Sequence, residues 1–471
     1  MSAVLDVVVV ATIVLSGCLI VGRNRDAGLF VLPAGTVVGI ALLMGLTHIA
    51  VLLGLNSPGL VAFFATPAIA GWIARKRMPS IGWLPFAFCI GFALRALAVP
   101  YTYLRHVDSV NYMIISGLLL RSDGDLGSEV NSLQLQKRML GTATLHAMQA
   151  LTDVPMSILL GPWVGLMILL TAFLTVRAIG SKCFASTSIA LLTVLALATS
   201  SRFLMHVTYL NSHLLNGLAV LVVVSASVQL STVVNADRYV LEVVVSACAV
   251  LVMTRPEGFL LAAIVLVAML FNLDVSRQFR VDLARGYGFA VILTFMTLLR
   301  VFAFRDELSF NSELVYPLLL GVLIVLLSAS FEHTGWLSTP YGVAVSGVAF
   351  LLFSTVLVLR DLELFREMWS AWSGNYITEG HWGLTIAIGY PAALLSGILI
   401  WSNLRIRVPF LIVLVFPVFG LVTSILRAAP GRISDADSFN RMTMHVFPTV
   451  IALIGMAGAS VVTQLFSGPR R

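Results

Sequence analysis

The sequence predicts an all-α polytopic membrane protein of about 13–15 transmembrane helices, with interfacial amphipathic helices on the outer side. Three observations lead there. The chain of 471 residues is 59% hydrophobic and only 11% charged, whereas soluble domains hold about 45–50% apolar and about 25% charged residues. Apolar runs near the length of a bilayer crossing recur throughout, divided by charge or by Gly and Pro. Lys and Arg are distributed unevenly between alternate connections. This balance excludes a water-soluble enzyme, a disordered chain and a nucleic-acid binder. The net charge of +7 reads as membrane topology instead.

Taken in order, spans are expected near 3–21, 29–54, 58–74, 81–99, 154–176, 183–199, 214–232, 239–254, 257–273, 287–303, 314–330, 341–359, 382–402, 408–426 and 443–465. The short pair 239–254 and 257–273 could also form one re-entrant hairpin. The chain reads as a single domain, 1–471: N-terminal spans over 1–99, a long loop over 100–153, and the remaining spans over 154–465. Cys18, Cys89, Cys183 and Cys248 lie in or beside apolar runs without paired spacing and read as buried thiols. Leu15-Ser16-Gly17-Cys18 resembles a lipoprotein cleavage motif. The preceding residues carry Asp6 and no Lys or Arg, unlike a signal peptide, so the first helix is expected to remain.

One set of connections gathers Arg23, Arg25, Arg75, Lys76, Arg77, Arg177, Lys182, Arg238, Arg277, Arg280, Arg285, Arg405, Arg407, Arg470 and Arg471. The other set is longer and its density of basic residues is about 2.5-fold lower, so the first is expected to be cytoplasmic. The N-terminus is then outside and the C-terminus inside. The long loops 100–153, 200–213, 304–313, 360–381 and 427–442 fall on the outer side, with most acidic residues and histidines. A transporter tends to carry its ionisable groups near mid-membrane. Here they gather on one face.

In the first outer loop, Val110, Ile114 and Leu118 recur every four residues, an apolar stripe suited to a helix lying in the interface. Asp108 is expected at its N-cap or just before it. It is either a cap alone or a carboxylate fixed at the membrane surface, able to take a proton from a hydroxyl. Asp123-Gly124-Asp125 is either a turn or a weak divalent-cation site. In Thr254-Arg255-Pro256-Glu257-Gly258, Pro and Gly break the helix and Arg255 offers a permanent forked donor for phosphate oxygens; an interfacial Arg255–Glu257 pair is the plainer alternative. Arg441 and His445 are further donors, above Lys137 and Arg138. His206 and His213 could line a sugar site. Residues 361–372 put Leu362, Phe365, Trp369 and Trp372 opposite Asp361, Glu363, Arg366 and Glu367, an interfacial helix.

Three of these stretches together resemble the GT-C superfamily of integral-membrane glycosyltransferases, close in layout to its bacterial mannosyltransferase-like and aminoarabinose-transferase-like members. They are Asp108 with its following helix, Val252-Met253-Thr254-Arg255-Pro256-Glu257-Gly258, and Ser438-Phe439-Asn440-Arg441-Met442-Thr443-Met444-His445. The resemblance covers the layout of most of the chain but only about 40 residues of motif. It implies transfer of a sugar from a polyprenyl-phosphate donor to a glycan, lipid or protein acceptor on the outer face of a bacterial inner membrane. Asp108 is then the base, Arg255, Arg441 and His445 hold the donor phosphate, and His106, Asn111, Tyr112, His213 and Glu257 bind substrate. No cofactor is implied, with a cation at Asp123 and Asp125 left open; the partners are membrane lipid and these substrates, not nucleic acid. The chain departs from the superfamily in having four predicted spans before Asp108. A transporter or flippase of lipid-linked glycans, or a glycan polymerase or ligase, are the alternative readings.

Overall fold

The computed structural model describes residues 2–22, 25–74, 107–122, 126, 139–151, 157–180, 184–208, 212–230, 237–272, 276–303, 322, 352, 355–356, 359, 361–373, 382, 384–426 and 442–466. Every regular element among them is helical: α1 (Ser2–Val21), α2 (Val31–Leu52), α3 (Pro58–Ala74), α4 (Val107–Arg121), α5 (Leu160–Ile179), α6 (Phe184–Ala198), α7 (Ser201–Thr208), α8 (Ser212–Leu230), α9 (Asp237–Thr254), α10 (Gly258–Asn272), α11 (Arg277–Ala303), α12 (Leu362–Ser373), α13 (Leu384–Leu399), α14 (Leu404–Leu426) and α15 (Phe447–Phe466), with short helical turns between. The protein is an all-α polytopic membrane protein. Among the described residues six helices are long and apolar enough to cross a bilayer, or seven if α6 and α7, bent by 65°, form one span. The spans expected near 81–99, 314–330 and 341–359 lie outside the described residues apart from isolated positions; each other expected span coincides with a helix. α11 starts at Arg277, well before the expected 287, because Phe279, Leu283 and Tyr287 bury one stripe beneath a charged first turn.

Several buried threonine hydroxyls are satisfied within their own helices, which suits lipid surroundings. Thr47, Thr66, Thr171, Thr175, Thr294 and Thr423 each donate to the carbonyl four residues earlier. α1 and α2 meet along Gly17, Gly35 and Gly39. A Cβ on Gly17 would collide with the Gly35 carbonyl, and one on Gly39 with the Ile13 carbonyl. Small residues let backbones approach where apolar side chains gain nothing over lipid. Ser16-Gly17-Cys18 is thus part of a helix–helix contact, with Cys18 a buried free thiol, as is Cys248.

Asp6 ties α1 to the connection between α4 and α5. It is buried and accepts from Gln149 Nε2 at 3.2 Å, from the Ser157 hydroxyl, and from the backbone N–H of Ile158 and Leu159 at 2.9 and 2.8 Å. The last two belong to the turn that opens α5, so Asp6 satisfies donors that a helix start leaves free. Beside it, the Ser157 N–H donates to His146 Nδ1 at 3.0 Å. Burial pushes the His146 imidazole down to about 3.

The loop helix departs from expectation in its buried face. α4 packs Asn111, Tyr112, Ile115, Ser116 and Leu119 inward, whereas Ile114 of the expected stripe is 48% exposed. Apolar residues occupy most of its circumference, so four-residue spacing could not single out the packed side. Ser116 Oγ reaches the Ala143 carbonyl at 2.8 Å and Arg121 the Ala150 carbonyl at 3.0 Å, docking α4 on the loop's second half. α12 forms as expected, with Trp369 55% exposed and stacked beside Phe365.

Candidate functional site

The termini of several helices converge at one end of the bundle. His206 closes α7, while His213 and Asn216 occupy the first turn of α8. Arg255 and Glu257 form the turn from α9 to α10. Trp382 precedes α13, and Thr443–His445 is a tight helical turn before α15. The chain bends at 255–257 because Pro256 cannot continue the hydrogen-bond ladder and Gly258 restarts the helix against the Leu251 carbonyl.

Within this cluster Arg255 Nε donates to Glu257 Oε1, with the Arg255 side chain 12% exposed and that of Glu257 fully buried. Arg255 Nη1 lies 3.3 Å from His213 Nε2. His213 Nδ1 lies 2.8 Å from His445 Nε2, the two rings meeting edge to edge with centroids 4.9 Å apart and planes inclined by 28°. Asn216 Nδ2 approaches the same His445 Nε2 at 3.3 Å, and the Thr254 hydroxyl donates to Asn216 Oδ1 at 2.7 Å. His206 meets His213 edge-on and stacks with Trp382, which packs against Phe447. Gly217 makes the junction close enough: a Cβ there would press on the Met444 carbonyl.

This arrangement unites three of the expected residues that lie far apart in sequence, His213, Arg255 and His445, with Glu257. Asn111 and Tyr112 sit instead on the packed face of α4, buried at 6% and 0% exposure. Asp108 falls in the first turn of α4, since the helix begins at Val107 rather than after Asp108 as expected. His106, Arg441, Asp123 and Asp125 lie outside the described residues. Among the described residues no group of three or more His, Cys, Asp or Glu is placed to hold a metal. The loop carrying α4 reaches the cluster through Gly141, whose Cα faces the Met253 carbonyl so closely that a Cβ would collide.

Sequence reading passed over Asn216 and Trp382, and gave Thr254 a place in the turn but no role of its own. A signal existed for Asn216: it follows His213 by three residues, on the same side of a helix that is otherwise apolar. Nothing local marks Trp382 as a partner of His206.

No protein-family model and no curated protein sequence matches the chain. Among solved structures, it is similar to the archaeal oligosaccharyltransferase AglB from Archaeoglobus fulgidus in complex with an inhibitory peptide and a dolichol-phosphate. The TM-score is 0.40 and the identity 11%, over 80% of this chain and 50% of that one. This chain therefore spans about half the length of that protein. A likeness at this level carries no argument about chemistry, and no family is assigned by it.

Proposed function

We propose that this protein is an integral-membrane glycosyltransferase of the GT-C kind. It moves a sugar from a polyprenyl-phosphate donor to a glycan, lipid or protein acceptor at the extracytoplasmic face of a bacterial inner membrane. The observation that carries the reading is Arg255: a permanent cation at a helix break, braced by the buried Glu257 and backed by His213 and His445 from distant helices. A lipid phosphate is a ligand suited to such a donor set at a membrane surface.

In the reaction the acceptor hydroxyl attacks the anomeric carbon from the face opposite the phosphate. The C–O bond to phosphate breaks with inversion, and its electron pair leaves on the lipid phosphate. Arg255 stabilises that developing charge. Asp108 receives the hydroxyl proton as general base. Arg441 and His445 assist at the phosphate; His106, His213 and Glu257 shape the substrate site. The chemistry needs no metal.

The test is transfer by purified full-length protein given polyprenyl-phosphate sugars with a labelled sugar. Asp108→Asn is expected to lower turnover about 10²–10⁴-fold while leaving donor binding in place. Turnover near the unmutated level would remove Asp108 from the mechanism. Labelled lipid crossing the bilayer without bond formation would replace the enzyme reading with a transporter.

A further inference from the structure

A second concentration of charge lies at the other end of the bundle. α13 begins just after Trp382, which packs in the cluster around Arg255, and its 16 residues carry the chain about 24 Å away. α14 follows after a short turn and opens with Leu404-Arg405-Ile406-Arg407. Arg405 Nη1 donates to the Ala178 carbonyl, in the last turn of α5, at 3.3 Å. Arg177 stands in that same turn, exposed, with its guanidinium 6.0 Å from the centroid of the Phe173 ring. Three arginines from two helices are thus gathered at one end. α5, α6, α13, α14 and α15 contain no Asp or Glu, and among the described residues none of the three arginines meets a carboxylate.

The turn holds these side chains in place. Asn403 Oδ1 accepts the Arg405 backbone N–H at 3.1 Å and so caps α14. Trp401 meets Phe410 edge-on with centroids 5.4 Å apart, and the approach of α13 to α14 at Phe410 is close enough that a Cβ on Gly397 would strike its ring. Arg407 lies over Trp401, 5.0 Å from the ring centroid, and its Nε donates to the Trp401 carbonyl at 3.2 Å. A guanidinium carries five N–H groups. The contact through Nε therefore leaves Arg407 its two terminal amino groups, the fork that takes two oxygens of one phosphate. Beside this charge the surface is apolar: Leu399 and Leu404 flank the turn, and Leu395 and Ile398 lie further back on α13, all exposed.

We propose that Arg177, Arg405 and Arg407 form a headgroup site for an anionic phospholipid of the surrounding bilayer. The guanidinium groups hold its phosphate, and its acyl chains run over the exposed leucines. The apolar surface continuous with the arginines selects a lipid over a free anion, and the lack of acidic residues on the five helices selects a headgroup of net negative charge. The lipid bridges α5 and α14 where Arg405 already joins them. The distribution of Lys and Arg marks this face as the expected cytoplasmic one, where anionic lipids attract basic segments. The site is separate from the cluster around Arg255 and independent of the glycosyl-transfer reading.

The experiment is native mass spectrometry of the full chain in detergent, given equimolar dioleoyl phosphatidylglycerol and dioleoyl phosphatidylcholine. Both lipids have the same chains and a phosphodiester, but the choline cation opposes the arginines. The first lipid retained is expected to be phosphatidylglycerol by about tenfold or more, since each basic side chain near the headgroup contributes about fivefold. Arg405→Gln combined with Arg407→Gln should bring the ratio close to parity. Arg277→Gln combined with Arg285→Gln, which removes two exposed charges from α11, should leave the preference in place. Should the first double variant not fold, Arg177→Gln alters a single exposed side chain and should cut the preference severalfold. Equal retention of the two lipids by the unmutated protein overturns the proposal. So does a preference that survives loss of Arg405 and Arg407 or of Arg177, or one that falls alike in the α11 variant, which would reduce it to general surface charge.

Discussion

Neutralising Asp6 tests whether the first helix is anchored by charge or merely by packing. Its carboxylate accepts from two side chains and two backbone N–H groups and donates nothing, which matches a charged acceptor. Hydrogen bonds to charged groups contribute about 1.5–3 kcal/mol against about 0.5–1.5 for neutral ones. In Asp6→Asn the best orientation keeps the carbonyl on Ile158 and Leu159 and turns the NH₂ towards Gln149 and Ser157, whose side chains can rotate. Weakening two backbone bonds by about 1 kcal/mol each gives a loss near 2 kcal/mol. Asp6→Ala leaves both backbone donors buried without that acceptor, at about 1–3 kcal/mol each, or roughly 4 kcal/mol in all. Thermal unfolding in detergent, with proteolysis of the 139–159 segment followed in parallel, should rank the alanine variant below the asparagine one and both below the unmutated protein. Unfolding of both variants within about 0.5 kcal/mol of the unmutated protein would refute the anchoring argument.

Other expectations concern the site and its surroundings. Arg255→Gln should reduce kcat/KM for the lipid donor by about 10²-fold, and Arg255→Lys should recover part of that in the same transfer assay. Glu257→Ala, which leaves the Arg255 cation with its braced side open, should destabilise the fold by about 3 kcal/mol, seen as a lower melting temperature. Gly39→Ala should cost about 1–3 kcal/mol despite alanine's better helix propensity, because the added methyl meets the Ile13 carbonyl; a rise in melting temperature would contradict the close α1–α2 approach. His146 is held neutral, its value down to about 3 in the fold against about 6.5 when unfolded. The unfolded chain therefore binds the extra proton, and stability complete above pH 6.5 should decline as pH falls towards 3. Melting curves across that range, compared with those of His146→Gln, should show a shallower acid decline in the variant.

Most helices were legible because lipid exposure asks only for length and apolarity, and both are local properties of sequence. α4 shows where this stops: a helix apolar nearly all round does not announce whether Ile114 or Ile115 packs inward. The Arg255–Glu257 turn was legible from its Pro and Gly, since they break helices wherever they stand. The His213–His445 contact was not, because its partners are separated by 232 residues and only tertiary packing sets their distance. Asp6 was visible merely as an acid where a signal peptide carries base; its grip on the start of α5 depends on a loop that folds back to meet it.

The distance along the chain between His213 and His445 also bears on biogenesis. Asn216 and His213 enter the membrane early, and their contact to His445 forms only once the turn before α15 has been made. Until then Arg255 and Thr254 hold one side of this cluster while the contact to His445 is still to form, the kind of incomplete junction that holds an insertion partner or attracts a quality-control protease. A chain stalled before Thr443 would lack the His445 contact and be marked as unfinished by its own interior.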